Sequence, residues 1–361
     1  MPGHSFRSLG SLGSLGSVVM ALVAGAAGLV GCERAGAPPV TEASARDQAV
    51  TFRNGEVTLS GTLCLPTGNG RRPAVVLFHG SGAEPRNEFM GHWFAEHGIA
   101  ALTYDKRGVG ASTGDFRTVP FTDLAADGLA AVAWLKARAD VDPKRIGVWG
   151  LSQGGWLGPL AASESRDVAF VIAVSGPGVS PGEQMIFYYG AQLRAQGFSE
   201  TEVAEAGDAR RKAWHFLSTG RDYAAARNAL DGAGRQRWFK AATGQADGLF
   251  SRPADALLND PAIRTGVWFQ HEVDYDPTVA LRALSVPALF IFGGSDQVVP
   301  VERSVAIIRD TLTNAGHHAF SIVVFPDADH GLSVPSVDGR DTLAVGYLDA
   351  IDGWLRKNVR P

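Results

Sequence analysis

The segment Arg145-Ile146-Gly147-Val148-Trp149-Gly150-Leu151-Ser152-Gln153-Gly154-Gly155 constrains the chain more than any other. A short apolar strand enters Gly-x-Ser-x-Gly and leaves it as a helix-like stretch, so the backbone has to reverse within two or three residues. Side chains at positions 150 and 154 would collide with neighbouring backbone in so tight a bend, and glycine stands at both. The turn projects the Ser152 hydroxyl away from the sheet edge, which makes Ser152 the candidate nucleophile. It also aims the first amides of the helix, that of Gln153 foremost, at the oxygen of a bound acyl group.

A five-residue match alone is weak, because Gly-rich bends after strands are common. Three further strand ends give it meaning. Val75-Val76-Leu77-Phe78 runs into His79-Gly80-Ser81-Gly82, a loop placed to donate a second amide to an oxyanion, that of Ser81 or alternatively that of Gly82. Ala288-Leu289-Phe290-Ile291-Phe292 ends in Gly293-Gly294-Ser295-Asp296, which offers Asp296 as the acid that orients a base. Phe320 to Phe325 is followed by Pro326-Asp327-Ala328-Asp329-His330, which offers His330 as that base. Asp327 and Asp329 lie too close in sequence to orient the imidazole from the required side, so Asp296 is the expected partner.

Ser, Asp and His in that order, each just after a strand, resemble the α/β-hydrolase superfamily. The likeness is greatest to serine carboxylesterases and to prolyl-oligopeptidase-like and dienelactone-hydrolase-like enzymes, and it covers roughly residues 50 to 358. Tyr104-Asp105-Lys106-Arg107-Gly108-Val109-Gly110-Ala111-Ser112 is similar to a loop common in such enzymes. The resemblance implies a mainly parallel sheet covered on both faces and acyl transfer to water with no cofactor. Asp105, Lys106 and Arg107 are expected to brace their loop, and His79 to be a structural hydrogen-bonder. His92, His97, His215, His271, His317 and His318 are expected to be surface or packing residues.

The pattern along the chain agrees with that fold class. Alternation around Asn54-Gly55 predicts a hairpin over Val50 to Leu65. Strands at Ala74–Phe78, Ile99–Tyr104, Arg145–Trp149, Ala169–Val174, Ala288–Phe292 and Ser321–Phe325 alternate with helical patterns near Glu88–His97, Thr122–Ala139, Gln153–Glu164, Val301–Ala315 and Thr342–Lys357. The strand–helix alternation breaks after Val174 and resumes only near Val286, where about a hundred mainly helical residues replace a short crossover. This divides the chain into a core at 50–176 and 284–361 and a helical cap at 177–283. The cap is rich in aromatic residues, most of them expected in its own core, with Tyr188 and Tyr189 as candidates for the substrate pocket.

Residues 1–31 carry Arg7, no acidic residue and an apolar run from Val18 to Val30, the pattern of a secretory signal peptide. The run closes on Leu29-Val30-Gly31-Cys32, similar to a bacterial lipobox, so Cys32 is the candidate for lipidation and 32–49 for a tether. An ordinary signal peptide is the alternative. The expected location is the bacterial cell envelope, with the lipid anchor holding the enzyme on a membrane facing the periplasm. Cys64 is then left unpaired, and no disulfide framework follows. The spacing shows no local metal-ligand motif, no phosphate loop and no basic tract. With a net charge of −4, nucleic acid is not an expected partner.

The partner expected is therefore a small-molecule ester. Two rivals stand beside it. A peptidase or amidase would need a device to hold the substrate end, for which Glu200, Glu202 and Glu205 of the cap are available unless they form a solvated helix face. A non-catalytic binding lipoprotein on a hydrolase scaffold is the remote alternative.

Overall fold

The computed structural model describes residues 46–335 and 341–360. The proposed leader, Cys32 and nearly all of the tether lie outside the described residues. The tether reading extends too far at its end, because β1 (Arg46–Asn54) begins inside it. There the strand is already paired with β2 (Val57–Leu65), Arg46 opposite Leu65. Asn54 faces Val57 across the two-residue turn, in which Gly55 takes φ of 56°.

One eight-stranded sheet organises the core, in the order β1-β2-β4-β3-β5-β6-β7-β8. The further strands are β3 (Arg72–Phe78), β4 (Ala100–Tyr104), β5 (Val141–Leu151), β6 (Val171–Val174), β7 (Ala288–Gly293) and β8 (Phe320–Phe325). β1, β2 and β4 pair antiparallel, and every pair from β4 through β8 is parallel. The inner strands read as unbroken apolar runs because both faces are covered. On one face α2 (Phe121–Lys136), α3 (Gln153–Glu164) and α11 (Val301–Asn314) bury Leu124, Trp156, Leu157, Ile308 and Leu312. On the other, α1 (Glu88–Glu96) and α12 (Tyr347–Asn358) bury Met90, Phe94, Ile351 and Leu355.

Between β6 and β7 lies the helical insertion: α4 (Pro181–Ala195), α5 (Glu200–Thr219), α6 (Tyr223–Ala233), the short helices α7 (Phe239–Thr243), α8 (Ala254–Leu258) and α9 (Pro261–Arg264), and a π-turn at Trp268–Glu272. It has a hydrophobic core of its own, around Trp214, Leu217, Trp238 and Trp268. The helix α10 (Pro277–Ala283) falls within the expected cap but packs on the main core, where Ala280, Leu281 and Leu284 join the cluster beneath α3 and α11. The helix predicted from Thr342 also starts later. Asp341–Leu343 pairs as a strand with Ser333–Pro335, and α12 begins at Tyr347 after Gly346 at φ of 84°. Among the described residues no helix is long and apolar enough to cross a membrane.

Candidate active site

β5 stops at Leu151 and α3 starts at Gln153, which leaves Ser152 alone to make the bend, at φ of 57° and ψ of −113°. A non-glycine residue at positive φ is strained by about 1–3 kcal/mol and persists only where its surroundings enforce it. They do here. A Cβ on Gly150 would lie 2.3 Å from the Gly154 carbonyl oxygen, so no other residue fits without moving the helix. At Gly154 the nearest atom to such a Cβ, the His79 carbonyl oxygen, is 3.0 Å away, a tight site but a less absolute one. Gly155 is as restrictive as Gly150, because its Cβ would meet the Cα of Gly176 at 2.3 Å. Close contact between the start of α3 and the loop after β6 thus locks the turn.

β7 and β8 bring the other two candidates together. Cβ atoms on Gly293 and Gly294 would meet the Asp329 and Pro326 carbonyl oxygens at 2.1 and 2.5 Å, so the glycine pair lets the two loops pack backbone to backbone. Asp296 then accepts a hydrogen bond from His330 Nδ1 at 2.7 Å. Its other oxygen accepts from the Val298 and Val299 amides at 2.7 and 2.9 Å. The Asp296 carboxylate is fully buried, whereas the imidazole keeps 14% of its surface exposed. Nε2 of His330 is buried and has no hydrogen-bond partner among the described residues. A carboxylate on Nδ1 fixes the tautomer that leaves Nε2 free to accept a proton. Ser175, at φ of 48°, supports the loop by donating its hydroxyl to the His330 carbonyl at 2.8 Å.

Residues 53–313 match the X-Pro dipeptidyl-peptidase (S15) family, a span that holds Ser152 and Asp296 and ends short of His330. The chain belongs to the S15 family. It is a hydrolase of the α/β-hydrolase fold. Esterase EstD of Thermotoga maritima is 25% identical over 328 residues, 85% of this chain and 68% of the relative. The polyketide transferase GrgF of a Penicillium species is 37% identical over 123 residues, a segment that spans 41% of the length of that protein. The crystal structure of GrgF superposes on 87% of this S15-family chain with a TM-score of 0.56 at 21% identity. An esterase of Pyrococcus furiosus gives a TM-score of 0.54 at 17% identity, over 87% of this chain and 91% of its own.

The oxyanion side of the S15-family site is held by a residue that sequence reasoning left among loop braces. Lys106 is only 2% exposed, and its Nζ donates to the Gly80 carbonyl at 2.8 Å and to Gln153 Oε1 at 2.7 Å. It thereby ties together the two segments expected to supply the oxyanion amides. Glu84 completes the clamp by accepting from the Gly80 amide at 2.7 Å. The Gly80 amide is thus engaged, while those of Ser81 and Gly82 have no acceptor among the described residues. Gly82, at φ of 88°, makes the bend that presents them. Asp105 and Arg107 are braces as expected: Asp105 takes a bidentate pair from Arg86 at 3.0 and 2.7 Å, and Arg107 reaches Asp127 at 2.6 Å.

Burial lowers Lys106 to about 8. The ammonium adds positive field behind the oxyanion amides, and that field fades as pH rises through this value. Lys106→Met is therefore expected to lower kcat by roughly ten- to a hundredfold with little change in KM, the loss being one hydrogen-bonded support and one charge. The alkaline decline of kcat above pH about 8 should be absent from the variant. A variant that kept the wild-type kcat and alkaline limb would remove Lys106 from this role.

His79 hydrogen-bonds the Tyr104 carbonyl, and burial, then the Lys106 charge, lowers it to about 3. It stays neutral and serves as the structural group the sequence suggested. The pocket assignment of Tyr189 needs correction. Its side chain is fully buried in the cap core, under the Arg210 guanidinium at 4.5 Å, and Arg210 is held by Asp247 at 2.9 Å. Tyr188 packs against that same core, with its ring 5.5 Å from that of Tyr189. The Tyr189 ring therefore packs the cap, as apolar side chains at helical spacing usually do.

The cap does supply an acid the sequence did not flag. Glu272, at the end of the π-turn, is 7% exposed and makes no side-chain hydrogen bond or ion pair among the described residues. Three residues on, Tyr275 stacks edge-on to Phe121 at 5.3 Å and to Trp156 of α3 at 6.5 Å, which brings this stretch of the cap to the elbow. Burial raises Glu272 to about 7, and the Lys106 charge opposes the rise. A raised carboxyl holds its proton longer in the folded state, so its burial weakens the fold as pH climbs from 4.5 to about 7. Lys106, lowered from 10.5, acts in the opposite sense and restores stability between about 8 and 10.5. Glu272→Gln should abolish the decline over the lower window, worth on the order of 3 kcal/mol at most. Urea unfolding of both proteins at pH 5 and pH 7.5 measures it, and equal slopes with pH would refute it.

Proposed function

We propose that this S15-family hydrolase cleaves carboxylic esters through an acyl-enzyme on Ser152. His330 takes the serine proton on Nε2, and Asp296 holds the imidazole and stabilises its charged form. The Gln153 amide, with that of Ser81 or alternatively Gly82, stabilises the oxyanion, and water releases the acyl group by the same route. The observation that carries the reading is the 2.7 Å contact between His330 Nδ1 and Asp296, which leaves Nε2 open, in a chain whose turn holds Ser152 at φ of 57°.

The preference for esters over peptides rests on the cap acids. Glu200 is paired with Arg194 at 2.7 Å, Glu202 with Arg237 at 2.7 Å, and Glu205 accepts from Trp238 Nε1 at 3.3 Å. All three are spoken for by the cap itself. The family match and the unpaired carboxyl of Glu272 favour the second reading, hydrolysis of small peptides or amides. A graded set of p-nitrophenyl acyl esters and aminoacyl anilides separates the two. Ester turnover with slow anilide turnover supports the proposal, and the reverse order replaces it with the peptidase. A silent enzyme that takes no fluorophosphonate label would favour the non-catalytic binding protein. We further propose that Cys32 carries lipid and anchors the enzyme in the bacterial envelope. Metabolic labelling with a fatty acid, lost in Cys32→Ser, would support this, and an unlabelled secreted chain would overturn it.

A further inference from the structure

A second cluster of chemistry-bearing side chains lies at the opposite end of the sheet from Ser152. Asp47 of β1 and Cys64 of β2 are directly opposed in the antiparallel register, so both side chains emerge on one face. α1 lies across that face and comes close because it presents Gly91, whose added Cβ would sit 3.0 Å from Cys64 Sγ. The next residue, His92, then reaches the pair, with Nε2 at 3.0 and 2.9 Å from the two Asp47 carboxylate oxygens. One ligand atom from each of the three residues lies within 4.8 Å of the other two. Cys64 is paired with Ala101 near the start of β4, whereas Lys106 and the site loops leave from the other end of that strand.

We propose that Asp47, Cys64 and His92 form a binding site for a thiophilic divalent cation of the Zn²⁺ type. A thiolate, an imidazole nitrogen and a carboxylate oxygen at about 2.0–2.3 Å from one ion are separated from each other by roughly 3.3–3.8 Å in tetrahedral geometry. The three atoms fit within that reach after small rotamer changes. The donor set selects the metal: sulfur and imidazole favour Zn²⁺ over Mg²⁺ or Ca²⁺, which take oxygen. Water fills the fourth position, because the Asp47 and His92 side chains are 48% and 40% exposed.

Without a cation the thiol is kept protonated. Burial first, then the Asp47 and Glu88 carboxylates, pushes Cys64 up to about 12. A divalent cation reverses that balance, since it neutralises the surrounding carboxylates and binds the thiolate. The thiol proton leaves to solvent, and the imidazole binds the ion through Nε2 with its ring proton carried on Nδ1. The site would pin β1, the edge strand through which the chain enters the sheet, onto α1. Its role is support of the fold, and it is separate from the Ser152 chemistry.

Titration of the purified chain with Co²⁺ tests this, because a thiolate ligand gives a sulfur-to-cobalt charge-transfer absorption that oxygen and nitrogen ligands do not. One equivalent of Co²⁺ should bring up this band, and Zn²⁺ should displace it. The band should vanish in Cys64→Ser, and affinity should fall at least tenfold in His92→Gln. Zn²⁺ should raise Tm by several degrees in the wild type and leave ester turnover at 25 °C unchanged, whereas Mg²⁺ should leave Tm unmoved. Binding without the band, or equal binding by either variant, would overturn the assignment. So would a lack of binding, which would leave His92 and Asp47 as an ion pair over a buried thiol.

Discussion

Replacement of Ser152 by alanine should lower hydrolysis of the best p-nitrophenyl ester by roughly 10⁴- to 10⁶-fold while the protein stays folded. The size of the loss follows from the geometry. Both the covalent route and the role of His330 depend on the one hydroxyl the elbow presents, and the remaining oxyanion amides supply only the residual rate over water. Stability should be nearly untouched, because the Ser152 side chain makes no capping hydrogen bond to α3 among the described residues, and alanine at φ of 57° bears a similar strain. Steady-state rates with a Tm measured alongside decide the matter. A variant within tenfold of wild type would mean that another group attacks the ester.

Asp296→Asn should cost about 10⁴-fold in kcat, for a reason particular to this loop. One carboxylate oxygen is fixed by the Val298 and Val299 amides, which can be satisfied only by an acceptor. An asparagine must therefore turn its carbonyl toward them and its NH₂ toward His330 Nδ1. That NH₂ can only donate, so Nδ1 must accept and the ring proton moves to Nε2. The base is then in the wrong tautomer to take the Ser152 proton. Asp296→Ala leaves the tautomer free and should be no less active than the asparagine variant, while retention of most activity in the asparagine variant would show that a different acid orients His330.

The features legible in the sequence are those that local pattern encodes. Strand–helix alternation gave a doubly covered parallel sheet, and the strand-turn-helix around Ser152 announced its own geometry through Gly150. What was not legible depends on which distant segments meet. Lys106 reads as one more charge in a loop. Only the approach of the Gly80 and Gln153 segments makes it the clamp between them. Gly155 looks like an ordinary helix glycine and Gly293 like an ordinary turn glycine until Gly176 and the Asp329 backbone are found against them. Tyr189 reads as a pocket residue because its amphipathic ring gives no sign of which side of a helix faces the cap core. The late start of α12 has the same origin, since Asp341–Leu343 becomes a strand only by pairing with Ser333–Pro335. Glu272 was missed because a single glutamate in an aromatic-rich stretch carries no periodic signal, and its burial comes from the fold around it.

The central claim is that Ser152 forms a covalent intermediate under the direction of His330 and Asp296. It is tested most directly by reacting the protein with a fluorophosphonate and locating the adduct by peptide mass spectrometry. One equivalent of label is expected on the peptide containing Ser152, with the rate of labelling reduced at least a hundredfold in His330→Ala. Absence of label, or a label on any other residue, would contradict it.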